Sequence, residues 1–511
     1  MAGLAAAGCT GGTGGTPGQS GPGEQNAPVA ETVAVQFAEV DPALVGGVSE
    51  GTLSNPGAGV AEVSFPLVAG ARNLNLALDL ATNRGLRGNA AVAGTDYQQA
   101  WTTIGSSPEA VGYLLTTTAV IDGADRIVPM AVWYDTATGR GVAGPGLIKL
   151  DAWPDFVEQV LDNRPADADP TLITEAMQAQ AAPYGEGPAI GFDSAGDLVV
   201  QFGSHVLDEP IMIEAGTASS MLSPFGVDAQ ASASSPSEFS ADAEVDERDR
   251  SDSVGGEDNL AAGATGDEQP EVIEIPEGPG GAGGSGEDDE EPSIDVGPRP
   301  YPWVGVNCEA LECVAMTYDD GPGPRTDEVS LAYLNNGQAV TYFALGNAMQ
   351  QTPEGASLVA ARGMELGSHT VTHEDLRHLS DKRREQEFAQ SAALLEEASG
   401  RPPLFMRAPF GAVDEEVRKV AKKHDMAIVS WTVDTRDWET KNAGSTLTQA
   451  SAAKNQAVVL MHDIQDSSVD AAPQVVQGLV DRGVVSVTVG ELSDYDWRAG
   501  EVYPEGAYGS A

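Results

Sequence analysis

Cationic side chains are scarce in this sequence. It holds 27 lysines and arginines against 77 aspartates and glutamates, a formal net charge of −50. No segment forms a basic patch, so a nucleic-acid partner is not expected. The anionic excess suits a secreted or salt-exposed chain kept soluble by self-repulsion, and says nothing about fold. Long apolar runs are missing too. None reaches the roughly 18 residues a helix needs to cross a bilayer, so no segment is expected to span a membrane. Cysteine is limited to three residues, too few for a disulfide-stapled fold and without the second pair a thiolate metal site needs. Histidine numbers only six, so where it falls is informative. Length is not limiting, since 511 residues accommodate about two to four domains.

Cys308 and Cys313, in "NCEALEC", are close enough to close a small loop before a strand, and in an extracellular protein they read as a disulfide. Cys9 lies in "LAAAGCTGGTGG", between small residues and a Gly/Thr-rich tract. That stretch resembles a bacterial lipobox, in which the cysteine is acylated, although Ala6 stands where leucine is usual. The eight residues before Cys9 are too few for a signal peptide. Either the true start lies upstream of Met1 or Cys9 is incidental. On the lipobox reading Cys9 carries a lipid anchor, and the protein is extracellular, tethered to a bacterial membrane or associated with the cell wall.

Composition divides the chain. Residues 1–30 are Gly, Ala, Pro, Ser and Thr with few large apolar side chains, a flexible tether. Residues 31–230 mix strand-like runs ("AEVSFPLV", "DLVVQFG") with helical spacing ("WPDFVEQVLDNR", "TLITEAMQAQAA"), an α+β domain. Residues 231–299 read as a disordered acidic linker: about 20 acids lie between Glu238 and Asp295, with only Arg248 and Arg250 against them. Residues 300–495 alternate short apolar runs with helices, for example Asp381 to Ser399 and Asp414 to His424. Such βα repetition predicts an α/β fold with a parallel sheet, open or closed into a barrel. Residues 496–511 form a C-terminal tail.

Five of the six histidines fall in the stretch from His369 to His462. "SHTVTH" spaces His369 and His373 four residues apart, and an i, i+4 pair on a helical turn projects both imidazoles to one side. Alone that is a weak signal. With one carboxylate it makes three protein ligands and leaves a fourth position for water, as catalytic zinc requires. "MTYDDGPG" ends an apolar run with Asp319 and Asp320 before a Gly-Pro turn. "RAPFG" puts Arg407 at another strand end, its planar fork suited to holding a carboxylate. "TVDTRDW" offers Asp434, Asp437 and Trp438, and "VVLMHD" ends a further run with His462. All of these groups fall at the C-terminal ends of predicted strands, one face of a βα sheet, where α/β enzymes place their chemistry. His378 and His424 read as solvent-facing, His205 as structural, and Trp303 and Trp497 as packing residues.

The motifs "TYDDGP", "SHTVTH", "RAPF", "DTRDW" and "LMHD", in that order, resemble those of the NodB-type polysaccharide deacetylases, carbohydrate esterase family 4, over about the last two-fifths of the chain. The resemblance implies a distorted (β/α) barrel and metal-dependent removal of N-acetyl groups from amino-sugar polymers. It implies Asp319 as catalytic base, and Asp320, His369 and His373 as ligands of a divalent ion, Zn2+ foremost with Co2+ or another ion as alternatives. Arg407 would hold Asp319, and Asp437 would orient His462, the general acid. The Phe410 N–H would help bind the oxyanion, with Trp438 and Leu460 lining the acetyl pocket. Tyr318 stands where Phe is commoner and Phe410 where Tyr is commoner, so a sugar contact through a hydroxyl would be missing. The first domain, with its order of strand, helix and strand, then "VVQF" and a terminal "LSPFG", resembles the RsiV-like (DUF3298) family, which implies a binding or sensing module near the wall with no protein partner specified. The reading that follows is a deacetylase of a cell-wall glycan, peptidoglycan before chitin or poly-N-acetylglucosamine. The rival is an extracellular binding protein that works through its first domain. On the first reading, the tether and the acidic linker would let the barrel reach polymer away from the membrane.

Overall fold

A computed structural model describes residues 37–178, 187–241, 297, 299–492 and 496–504. Cys9, the expected tether and most of the acidic stretch lie outside the described residues. Among the described residues, no helix is long and apolar enough to cross a membrane.

The first half is built on a six-stranded sheet in chain order, β1 (Val48–Asn55), β2 (Val60–Val68), β3 (Thr95–Ser106), β4 (Ala110–Ile121), β5 (Ala124–Asp135) and β6 (Arg140–Ala143). β2 and β3 are parallel, joined across the helix α1 (Arg72–Ala91), and the other pairs are antiparallel. Asp122 and Gly123 both have positive φ, at 53° and 80°. That matches the twist of a two-residue hairpin and sets the register of β4 on β5. A three-stranded antiparallel sheet follows, β7 (Ala189–Phe192), β8 (Leu198–Gln201) and β9 (Ile211–Ile213). Folded chain continues past residue 230, where the linker was expected to begin. The helix Pro224–Ser234 buries Phe225, Ala229 and Ala233, and buried Phe239 bridges Val45. A few well-spaced apolar residues suffice here, despite the polar composition around them.

The second half is a nine-stranded parallel sheet. Its strands are β10 (Cys313–Asp319), β11 (Thr341–Ala344), β12 (Glu365–Ser368), β13 (Phe405–Met406), β14 (Ala427–Val429), β15 (Val433–Asp434), β16 (Val458–His462), β17 (Val485–Val487) and β18 (Val502–Tyr503). They run in the order β15-β16-β10-β11-β12-β13-β14-β18, with β17 beside the first half of β10, and the sheet curls into a half-barrel. Residues assigned to the tail take part: β18 pairs with β14, and Trp497 is buried against Phe405 and Tyr503. The Cys308–Cys313 disulfide is formed, with S–S 2.05 Å.

Strand pleat decides which side chains face the interior of the half-barrel. Val314, Met316 and Tyr318 of β10 pack outward into the cluster shared with the helices, whereas Cys313 and Ala315 pack inward. Period two then turns Thr317 and Asp319 inward as well. In β16, Val459 and Met461 pack outward and Val458 and Leu460 inward, which turns His462 to the interior. All seven residues of β10 are buried, the reason a two-sided strand reads as a continuous apolar run.

The two halves share an interface made by α1. Arg72 donates to the carbonyls of Trp497 (2.6 Å), Leu404 (2.9 Å) and Asp425 (3.3 Å). Arg87 donates to Gly363 O (3.0 Å) and pairs with Glu491 at 2.6 Å, both side chains almost fully buried. Arg401 reaches Asn83 and Asp79. Gly363 has φ 73°, and a Cβ there would come within 2.3 Å of Asn83 O, so only glycine allows this approach. This removes the part in the barrel's reach expected of the acidic linker; the tether lies outside the described residues. Buried charges on α1 bind the barrel to the first domain.

Candidate active site

Asp319 ends β10 and is fully buried. Arg407, which follows β13, donates from Nη1 to Asp319 Oδ1 (2.8 Å) and to Thr317 Oγ1 (2.7 Å). Its other donors go to Val429 O and Ser430 O, each at 3.1 Å, and its guanidinium lies 4.2 Å from the centre of the Phe343 ring. Four of the five N–H donors of the planar fork are thus engaged, and one Asp319 oxygen is held in place. Burial pushes the Asp319 carboxyl above its ordinary range, against the opposing pull of Arg407 and His462.

Asp320 behaves differently because the chain turns there. Its φ is 72°, a left-handed conformation that Asp tolerates better than most residues. The turn aims its side chain at the histidines. Asp320 Oδ1 is 3.5 Å from His369 Nε2 and 3.4 Å from His373 Nε2. That oxygen is buried and accepts no hydrogen bond. His369 Nδ1 donates to Arg407 O at 2.8 Å, which leaves Nε2 as the lone-pair nitrogen. Burial drives the His369 imidazole down to about 3, against the opposing charge of Asp320, so it is neutral, as a ligand must be. An orphaned carboxylate oxygen, two converging imidazoles and ligand atoms within 4.8 Å of one another fit a divalent ion.

His462 ends β16. β10 and β16 pair in parallel with Asp319 opposite His462, so the two side chains lie side by side on the inward face. His462 donates through Nδ1 to Asp437 Oδ1 and through its backbone N–H to Asp437 Oδ2, both at 2.8 Å. Ser468 Oγ also donates to Asp437 Oδ2. Burial would lower the His462 imidazole, but the Asp437 hydrogen bond and charge outweigh it and raise it to about 9. Burial pulls Asp437 upward; the bonds from His462 and Ser468 overcome it and hold the carboxyl below its usual range.

Phe410 and Trp438 stand on the rim, 65% and 48% exposed. Phe410, at φ 61°, sets its ring edge-on to His373 at 4.7 Å. Leu460 is buried on the inward face of β16, and its carbonyl accepts from Thr435 Oγ1 at 2.8 Å. Tyr318 points away from the site, its hydroxyl 3.2 Å from that of Tyr333, so it changes the outer packing only. Asp434 accepts from the backbone N–H of Arg436 and takes no part in the cluster. His378 is exposed beside Asp375, and His205 accepts from Arg126. His424 departs from its solvent-facing expectation: it stacks on Phe388 and bonds Glu385 at 2.9 Å.

Thr317, Ser468 and Asp463 were missed. Asp463, buried, accepts from Thr326 Oγ1 and Gly323 N–H and so clamps the loop after Asp320. Its place directly after His462 was a usable signal. Thr317 and Ser468 carried none, because a hydroxyl in a strand or helix has no distinctive spacing.

The polysaccharide deacetylase family profile matches residues 307–429. Peptidoglycan-N-acetylmuramic acid deacetylase PdaC of Bacillus subtilis is 32% identical over 183 residues, 35% of this chain and 38% of its own. A peptidoglycan-N-acetylglucosamine deacetylase of Bacillus cereus is 31% identical over 38% of this chain and 92% of its own. Among solved structures, a family 4 carbohydrate esterase from Streptomyces lividans in complex with acetate is 28% identical, covering 37% of this chain and 96% of its own with a TM-score of 0.35. The matched segment spans about two-fifths of the Bacillus subtilis protein and of a Listeria monocytogenes peptidoglycan deacetylase, 38% and 41%. Through its C-terminal half, the chain belongs to the polysaccharide deacetylase family, carbohydrate esterase family 4.

Proposed function

We propose that this chain is a metal-dependent hydrolase that removes N-acetyl groups from N-acetylhexosamine residues of a cell-wall polysaccharide, peptidoglycan first. The observation that carries the reading is the Asp319–His462 register pair beside the Asp320, His369 and His373 ligand set. A divalent ion on those three residues, Zn2+ foremost, supplies Lewis-acid polarisation of the acetyl carbonyl and acidifies water. The chain's own groups do the rest. Asp319, held by Arg407 and raised by burial, accepts the proton of the attacking water. His462, kept protonated by Asp437, gives a proton to the departing nitrogen, so that amide and water become amine and acetate. The names of the relatives support peptidoglycan as substrate, and the resemblance of the first domain to a wall-associated family agrees with it.

The test is acetate release by the purified full chain from peptidoglycan and from chitin oligomers, with Zn2+ added or chelated. Chelator-sensitive release is expected, faster from peptidoglycan. Faster release from chitin would reassign the substrate, and release that survives chelation would end the metal-dependent reading.

The proton on His462 also predicts a pH profile. With the imidazole at about 9, the acid form is present at neutral pH and is lost as pH rises through about 9, where kcat should fall. Asp437→Asn removes the group that raises it, so the alkaline limb should move toward the ordinary histidine range near 6.5. A limb that stays in place in Asp437→Asn would show that another group supplies the proton.

A further inference from the structure

The turn that joins the two ligand histidines has an unusual backbone. Thr370 and His373 have φ of 66° and 60°. For a β-branched residue that conformation is a marked outlier, and it persists only where the surroundings over-determine it. Backbone N–H groups of Gly346 and Asn347 donate to Thr370 O and Val371 O, both at 2.9 Å, and Thr370 N–H donates to Ser368 Oγ at 3.2 Å. The far side of the turn, at residues 371 and 372, is held by one buried carboxylate. Glu387, on the helix Asp381–Ser399, accepts through Oε2 from Val371 N–H (2.8 Å) and Thr372 N–H (3.0 Å), and through Oε1 from Thr372 Oγ1 (2.8 Å). Arg383, one turn back, pairs with the same carboxylate at 2.6 Å, and the Glu387 side chain is fully buried.

The two histidines depend on this clamp unequally. His369 is held without it, by its backbone bond to Ala344 O (3.0 Å) and its ring bond to Arg407 O. His373 is more exposed. Its ring is placed by edge contacts with His369 and Phe410, and its backbone N–H donates to Thr370 Oγ1 at 3.3 Å. Its position therefore follows the turn, whose Val371 and Thr372 N–H groups are held by Glu387.

We propose that Glu387 is a positioning residue for the metal site, holding residues 370–373 so that His373 Nε2 converges with His369 and Asp320. The proposal rests on the metal-dependent reading above. It concerns a carboxylate that ligates nothing itself and acts through two peptide N–H groups and a hydroxyl.

The test is titration of the full chain with Co2+ alone, followed by the visible absorption of the bound ion, for wild type, Glu387→Ala, Glu387→Asp, Glu387→Gln and His373→Ala. Thermal unfolding of each variant is recorded alongside. Glu387→Ala is expected to weaken Co2+ binding about 10- to 100-fold, the usual scale for partners that orient metal ligands, and to shift the spectrum toward that of His373→Ala. Glu387→Asp keeps the charge and the fold but is too short to reach the turn, so it should fall between Ala and wild type. Glu387→Gln still presents a carbonyl to the two N–H groups and should recover most of the affinity. Wild-type Co2+ affinity and spectrum in folded Glu387→Ala or Glu387→Asp would overturn the proposal and leave the deacetylase reading standing. Failure of the wild-type chain to bind Co2+ would remove both.

Discussion

Asp319→Asn is expected to lower kcat/KM for acetate release by about 10²- to 10⁴-fold, the range that a positioned acid or base contributes. Co2+ binding should stay close to wild type. The substitution keeps the side-chain shape, so the amide oxygen still accepts from Arg407 Nη1. What it loses is the ability to take a proton. Asp320, His369 and His373 do not depend on Asp319 for their convergence: His369 Nε2 lies 3.8 Å from Asp319 Oδ2 but is fixed by Arg407 O. Arg407 would be left buried without its counter-charge. It retains the Thr317, Val429 and Ser430 acceptors, and unfolding midpoints measured in parallel separate lost chemistry from lost fold. Undiminished turnover in a folded, metal-loaded Asp319→Asn would require a different base.

The second large effect is on stability, at the interface between the halves. Arg87→Met is expected to cost about 3–5 kcal/mol, the scale for removing one partner of a buried ion pair. Glu491 would then keep its bond from Thr488 N–H (2.9 Å) and lose the cation at 2.6 Å. Gly363 O would lose its donor at the same time. Gly363 lies just ahead of β12, whose end carries His369, so the damage falls on the chain leading into the site. Urea unfolding followed by tryptophan fluorescence measures the change. Because Trp133 and Trp153 belong to the core of the first half and Trp497 to that of the second, a transition that splits in two would show the halves uncoupled. A loss below 1 kcal/mol would mean the pair is solvated and the interface is held mainly by its apolar contacts, such as Leu86 and Phe65 against Ala360 and Ala361.

Much of the site was legible in the sequence because its groups mark strand ends. A buried parallel strand is an apolar run, and a polar residue that closes such a run stands out, as Asp319 does after "CVAMTY" and His462 after "VVLM". Strand direction then puts those ends on one face, whatever the details of packing. The histidine pair was marked by its four-residue spacing, but residues 369–373 form no helix and Thr370 and His373 have positive φ, so the convergence of the two rings came from the folded turn. What the sequence by itself determined, then, was the α/β class of the second half and which polar residues gather at one end of it.

The tertiary structure decided how those residues divide their tasks. Adjacent aspartates diverge because the strand ends at Asp319 and Asp320 turns to φ 72°, which no spacing reveals. Glu387 and Ser468 lie 14 and 6 residues beyond the groups they support, His373 and His462, on helices whose own pattern reads as ordinary amphipathic surface. The same holds for Arg72 and Arg87 on α1, which the sequence offers as cations of a helix and the fold buries against carbonyls and Glu491 more than 275 positions away. Local periodicity reports whether a residue faces a core. It carries no information on which distant carbonyl, hydroxyl or carboxylate meets it there, because that depends on how helices and strands far apart in the chain come to pack.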